Sequence, residues 1–251
     1  MSSLINKITS NSESHKKAFA VLLDPDKLNP AILHDRITAL NASAVDFIFV
    51  GGSLISSDFM DFVLSELKDK TSAPKVIFPG NGLHINSLAD GILLLSLISG
   101  RNPEFLIGQH VVSAPILKRS KLEKIPTGYM LIDGGMPTTV SYISNTFPIP
   151  NNKPDVAAAT AMAGEMLGLK SIYLDAGSGA QNPVSEDVIS AVKKNIDIPV
   201  IVGGGINTIA KASNALTAGA DMIVIGNAIE QNPDFLVEIS QLVESFNKNP
   251  A

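Results

Sequence analysis

The sequence predicts an α/β fold, a single (β/α)8 TIM-barrel domain over residues 1–251, and three observations carry that prediction. Short β-branched or leucine-rich runs alternate with amphipathic stretches from end to end, as in a parallel sheet wrapped by helices. The runs total about eight, the number that closes a barrel. In the last third, two runs end in glycine turns that precede helix-type residues: Pro199-Val-Ile-Val-Gly-Gly-Gly-Ile206 and Asp221-Met-Ile-Val-Ile-Gly-Asn227. A chain of 251 residues is ordinary for one such barrel and ample for a large core.

The expected strands are 19–23, 47–50, 75–78, 92–95, 129–132, 171–174, 199–202 and 222–225. Helices are expected between and after them at 30–40, 58–68, 103–117, 154–167, 185–194, 208–218 and 233–246. Their starts carry Ser, Thr or Asp caps, or a proline in the first turn. Two places break the alternation. The segment 80–91 is short and glycine-flanked, which argues against a full helix. Residues 132–154, with Gly134-Gly135-Met136-Pro137 and three further prolines, form too long a stretch for a plain βα loop. Long loops on the carboxyl face of a barrel shape or cover active sites.

Composition removes several function classes. A formal charge of −5, with no dominant basic stripe, argues against nucleic-acid binding. The absence of cysteine excludes disulfides, thiolate catalysis and Cys-based zinc sites. The N-terminus lacks the apolar segment of a signal peptide. The longest apolar run, 92–98, falls well short of the roughly 20 residues that span a bilayer. A soluble, cytoplasmic protein is expected, with contact at a membrane surface left open.

Chemistry is expected where strands end. Glycine lets backbone N–H groups approach an anion closely, and the helix start beyond adds unpaired amides. The turns at Gly203-Gly204-Gly205 and Gly226-Asn227 therefore read as a phosphate cradle after strands seven and eight, where such cradles recur in barrels. The first strand ends in Leu22-Leu-Asp24-Pro-Asp-Lys27 and the second in Gly51-Gly52-Ser53. A carboxylate and a hydroxyl side by side make a weak Mg²⁺ site that takes its other ligands from water and substrate phosphate. The plain alternative for Asp24 is an N-capped turn.

The sixth strand runs Tyr173-Leu174-Asp175 into Ala176-Gly177-Ser178-Gly179, an acid followed by a glycine-serine turn. Asp175 is placed to accept a proton or to hydrogen-bond a substrate hydroxyl. The turn amides and Ser178 are placed to meet phosphate or glycerol oxygens. His15, His34, His84 and His110 show no metal-ligand spacing. The basic cluster Lys118-Arg119-Ser-Lys121 reads as a solvated helix end. Lys27 and Lys75 are poorly placed for Schiff-base chemistry. A phosphosugar isomerase or synthase, or an FMN-binding barrel, would use the same cradle.

Taken together, Leu-Asp24-Pro-Asp-Lys, Gly51-Gly-Ser53, Tyr173-Leu-Asp-Ala-Gly-Ser-Gly179, Gly203-Gly-Gly-Ile206 and Ile225-Gly-Asn227 resemble the geranylgeranylglyceryl phosphate synthase family, in its second subgroup with bacterial members. The resemblance covers nearly the whole chain, in the same motif order. It implies a prenyltransferase of ether phospholipid biosynthesis. The C3 hydroxyl of sn-glycerol 1-phosphate attacks C1 of a long prenyl diphosphate, and pyrophosphate leaves with Mg²⁺ assistance. Carried over by motif, Asp24 and Ser53 match the metal positions. Tyr173, Leu174, Asp175, Ala176, Gly177, Ser178, Gly179, Gly204, Gly205, Gly226 and Asn227 match the glycerol-phosphate site. The resemblance implies catalytic roles for Asp24 and Asp175, although other members carry Glu where this chain has Asp175. It also implies a homo-oligomer, dimer or hexamer, and peripheral membrane contact for product release.

Overall fold

The structure is a computed structural model that describes residues 3–56, 59–232 and 234–248. Among the described residues, eight parallel strands close a barrel in sequence order, with β8 pairing back onto β1. They are β1 (Ala18–Leu23), β2 (Phe47–Gly51), β3 (Lys75–Phe78), β4 (Gly91–Leu97), β5 (Glu123–Leu131), β6 (Ser171–Asp175), β7 (Val200–Gly203) and β8 (Met222–Ile225). Six of the expected helices are found: α2 (Pro30–Asn41), α3 (Met60–Lys70), α4 (Gln109–Arg119), α6 (Pro154–Met166), α7 (Glu186–Lys193) and α8 (Ile209–Thr217). The seventh is α10 (Phe235–Lys248), preceded by one turn, α9 (Ala228–Gln231). The expected starts at 58 and 233 lie outside the described residues.

Period-two alternation sorts each strand into two cores. Ala18, Phe49, Val76, Leu93, Ile125, Tyr173 and Ile201 fill the barrel interior. Their neighbours Val21, Ile48, Ile77, Leu174 and Val202 face the helices. Fully burying each such large side chain is worth roughly 1.5–3 kcal/mol, and the interior is packed rather than hollow.

Several boundaries differ from expectation. β5 begins at Glu123, six residues before the expected 129, because Pro126 and Gly128 masked a strand that β4 and β6 hold from both sides. β6 ends on Asp175, one residue beyond the expected 174. The expected helix 103–117 is a π turn, Glu104–Gly108, followed by α4, which carries Pro115 inside it.

Two helices had no clear sequence signal. Helix α1 (Leu4–Glu13) closes the amino end of the barrel. Its Leu4, Ile5 and Ile8 pack on the interior core, and the Glu123 carboxylate accepts hydrogen bonds from the Leu4 and Ile5 amides at 2.7 and 2.8 Å. Helix α5 (Thr139–Ser144) sits inside the long loop after β5, held by a capping box between Thr138 and Ser141. Between β3 and β4 the chain makes only a 3-10 turn, Gly82–His84, as the short glycine-flanked segment suggested. That leaves Leu94 and Ser96, on the outer face of β4, half-buried.

Candidate functional site

The carboxyl rim of the barrel opens into a polar cavity of about 1490 Å³, counting the solvent at its mouth. It brings together nearly every residue expected there: Asp24, Ser53, Tyr173, Asp175, Gly177, Ser178, Gly179, Gly204, Gly205, Gly226 and Asn227. Leu174 and Ala176 are the exceptions. Strand alternation turns both side chains into the helix-facing core, and the Ala176 amide donates to the Gly203 carbonyl.

The cradle depends on backbone that only glycine adopts cheaply. Gly204 has φ +81°, and a Cβ there would lie 2.6 Å from the Gly177 nitrogen and 2.7 Å from Asp175 Oδ1. The two glycine loops thus touch backbone to backbone, with no room for a methyl group. Asn227 closes the rim: its Oδ1 accepts from Lys27 Nζ at 2.8 Å and from Ser178 Oγ at 3.3 Å. Lys27 therefore lines the cavity and brings a cation to its edge. Sequence reasoning missed that role, weighing Lys27 only as a Schiff-base candidate.

Asp175 is buried at the floor. Tyr129 donates to its Oδ2 at 2.6 Å and the Gly177 amide to its Oδ1 at 2.7 Å. Desolvation pushes the Asp175 carboxyl above the ordinary aspartate value, and these two hydrogen bonds oppose the rise. The phenols of Tyr129 and Tyr173 are held well above the usual tyrosine range, by burial first and by Asp175 second. A carboxyl with a raised pKa in a cleft suits proton acceptance near neutral pH.

Asp24 caps the turn Pro25–Lys27, its Oδ1 accepting from the Asp26 amide at 3.1 Å. The capped-turn reading and the metal reading are thus compatible. The carboxylate also faces Gly52, where a Cβ would stand 3.8–3.9 Å from its oxygens. Asp24 and Ser53 line one cavity with oxygen donors only, which fits a hard cation. Among the described residues no group of three or more His, Cys, Asp or Glu could hold a metal by itself.

A second cavity, apolar and about 800 Å³ with its mouth, begins where the first ends. Ser53 and Phe78 line both. Its walls come from both faces of β4 (Leu93 and Leu95 inside, Ile92 and Leu94 outside), from Tyr129, and from the α4 side at Phe105, His110 and Leu117. The missing helix between β3 and β4 opens this space. His110 Nε2 and Ser96 Oγ share a hydrogen bond of 3.1 Å in the wall, and desolvation lowers the imidazole pKa. His84 is buried and accepts from the Gly80 amide at 3.0 Å. His15 and His34 are exposed.

Comparison with known proteins agrees with this geometry. The PcrB family model matches residues 12–245. A protein of Spirosoma linguale called geranylgeranylglyceryl phosphate synthase is 56% identical over 236 residues, 94% of this chain and 95% of its own length. One of the same name from Chitinophaga pinensis is 53% identical over 91% of each chain. The crystal structure of (S)-3-O-geranylgeranylglyceryl phosphate synthase from Thermoplasma acidophilum, in complex with its substrate sn-glycerol-1-phosphate, superposes with a TM-score of 0.90 at 36% identity. That match covers 99% of this chain and 100% of the other. With a polar cradle and an apolar groove meeting at one rim, and a family model matching nearly end to end, this chain belongs to the PcrB family.

Proposed function

We propose that this protein is a prenyltransferase of ether phospholipid biosynthesis, joining the C3 hydroxyl of sn-glycerol 1-phosphate to C1 of a long, geranylgeranyl-type prenyl diphosphate with release of pyrophosphate. The observation that carries this reading is the meeting of two cavities of opposite character at Ser53 and Phe78. A phosphosugar enzyme or an FMN site would use the cradle but has no need of the groove.

The division of labour follows from the chemistry. Amides of the 177–179 and 204–205 turns, with Lys27 and Asn227 at the edge, hold the phosphate of the acceptor. Anchoring the molecule by that end aims its hydroxyl, and orientation is most of what a neutral alcohol nucleophile needs. Asp175 takes the hydroxyl proton as the ether bond forms. The groove seats the prenyl chain and keeps water from the allylic carbon as positive charge develops there. Asp24 and Ser53 are the residues that would hold Mg²⁺, which when bound neutralises the departing diphosphate.

The proposal extends to a cytoplasmic homo-oligomer, dimer or hexamer, that meets the membrane to release its product. No helix among the described residues is long and apolar enough to cross a membrane. Tyr142 and Phe147 stand 86% and 93% exposed on the long loop after β5 and are the side chains such contact would use.

The test is incubation with sn-glycerol 1-phosphate, its 3-phosphate isomer and prenyl diphosphates of several lengths, with and without Mg²⁺. Ether product is expected with the 1-phosphate and a long chain, and only with the cation. Sedimentation alone and flotation with vesicles read the assembly and the membrane contact in the same preparation. Absence of ether product with every chain length would sink the assignment.

A further inference from the structure

Tyr129 lines the apolar cavity and is bonded to a residue of the polar one. It is part of the groove wall, and its hydroxyl donates to Asp175, a residue lining the polar cavity, at 2.6 Å. Register explains the reach: β5 pairs with β6 so that Tyr129 lies opposite Tyr173, one inward position below Asp175. Phe78, Tyr129 and Tyr173 form an aromatic wall between the cavities, with ring centroids 5.5–6.2 Å apart. We infer that Tyr129 is a positioning residue for the proposed base, fixing the Asp175 carboxylate from the lipid side of this wall. The inference rests on the prenyltransferase reading and adds to it a residue that no motif marked.

Two donors from two elements hold the carboxylate, Tyr129 on Oδ2 and the Gly177 amide on Oδ1, so rotation about its terminal torsion would break one or both. Each oxygen keeps a further lone pair, free to receive a proton from the substrate. The step balances: the C3 oxygen bonds to C1, the C1–O bond to diphosphate breaks with its electron pair leaving on pyrophosphate, and the hydroxyl proton passes to Asp175. Tyr129 stays a donor throughout, because burial and the neighbouring carboxylate keep its phenol protonated.

Few charged groups compete for control of Asp175. Tyr129 faces it from β5 and Tyr173 from β6 itself, while the facing turn of β7, 203–205, is all glycine. Asp24 and Lys27 share the cavity from the end of β1. Burial raises the Asp175 pKa and the tyrosine opposes it. Deleting the donor destabilises only the charged form, so the pKa rises further and the carboxylate fraction falls at any given pH.

Tyr129→Phe keeps the ring and removes the hydrogen bond. At neutral pH kcat is expected to fall about ten- to a hundredfold, the usual worth of a hydrogen bond to a charged group. The KM for sn-glycerol 1-phosphate should stay within a few-fold. The acid limb of the rate profile should move to higher pH, so that activity recovers on raising pH. In an Asp175→Asn background the same change should cost little, since partners in one chain of action are not additive. A titration of the carbon-13-labelled Asp175 carboxyl, identified by its absence in Asp175→Asn, reads the same rise without turnover.

An unmoved carboxyl titration and acid limb would overturn the inference while leaving the prenyltransferase standing. A full additional loss in the Asp175→Asn background would overturn it too, by showing that Tyr129 acts elsewhere. A titration that moves in Tyr129→Phe, alongside a wild-type protein that makes no ether, would support the link between the two residues and sink the proposed reaction alone.

Discussion

Gly204→Ala is expected to weaken sn-glycerol 1-phosphate binding by more than a hundredfold and to destabilise the fold by about 2–4 kcal/mol. The position has φ +81°, where an L side chain is strained by about 1–2 kcal/mol. The added methyl would also press on the Gly177 and Ala176 nitrogens, at 2.6 and 2.8 Å. These are backbone atoms with no free torsion to yield, so the two loops must part. Parting them would disperse the amides proposed to hold the phosphate, and it would disturb Asp175 Oδ1, 2.7 Å away. Titration calorimetry and a thermal melt measure the two effects separately. Binding preserved within tenfold would place the phosphate somewhere other than between these loops.

Asp24→Asn is expected to behave in the opposite way, with turnover falling about a thousandfold and acceptor affinity nearly intact. The amide side chain keeps an oxygen that can accept from the Asp26 amide, so the turn Pro25–Lys27 survives. What disappears is the negative charge that would recruit Mg²⁺ beside Ser53. A metal that neutralises a leaving group contributes several kcal/mol to the transition state, and each 1.36 kcal/mol is a factor of ten in rate. The proposed phosphate cradle lies on other loops lining the same cavity and would lose no donor. Kinetics paired with calorimetry decides the matter: equal loss of rate and binding would mean that Asp24 serves the fold or the acceptor rather than the metal.

How legible this molecule is in its sequence follows from what each feature depends on. The barrel was legible because its signals are local. Apolar runs such as 47–50 and 222–225 need only their own residues to declare a buried strand, and glycines after them declare a close backbone approach. The polar cavity was legible for the same reason, since Asp24, Ser53, Asp175 and the glycine turns all lie at or just past strand ends. Tyr129 was not, because a tyrosine within a strand reads as core, and its partner lies 46 residues away. Helix α1 was hidden because its anchor is Glu123, more than a hundred residues on, and nothing near the N-terminus announces it. The long loop after β5 is legible as a cover for an active site, but the walls of the apolar groove are not. They draw on both faces of β4 and on a helix that is missing, and an absence has no motif.

The 3-10 turn between β3 and β4 has a thermodynamic corollary. A barrel normally clothes every strand with protein; here the outward-facing residues of β4, Leu94 among them, are left partly bare. A hydrocarbon tail laid against them would finish the hydrophobic interior with atoms the gene does not encode. Occupancy and folding then become one linked equilibrium, in which ligand at a hundred times its dissociation constant adds about 2.7 kcal/mol to the resistance to unfolding. Without such a ligand the protein would lack that increment, so a thermal melt with and without a prenyl diphosphate is expected to show the difference.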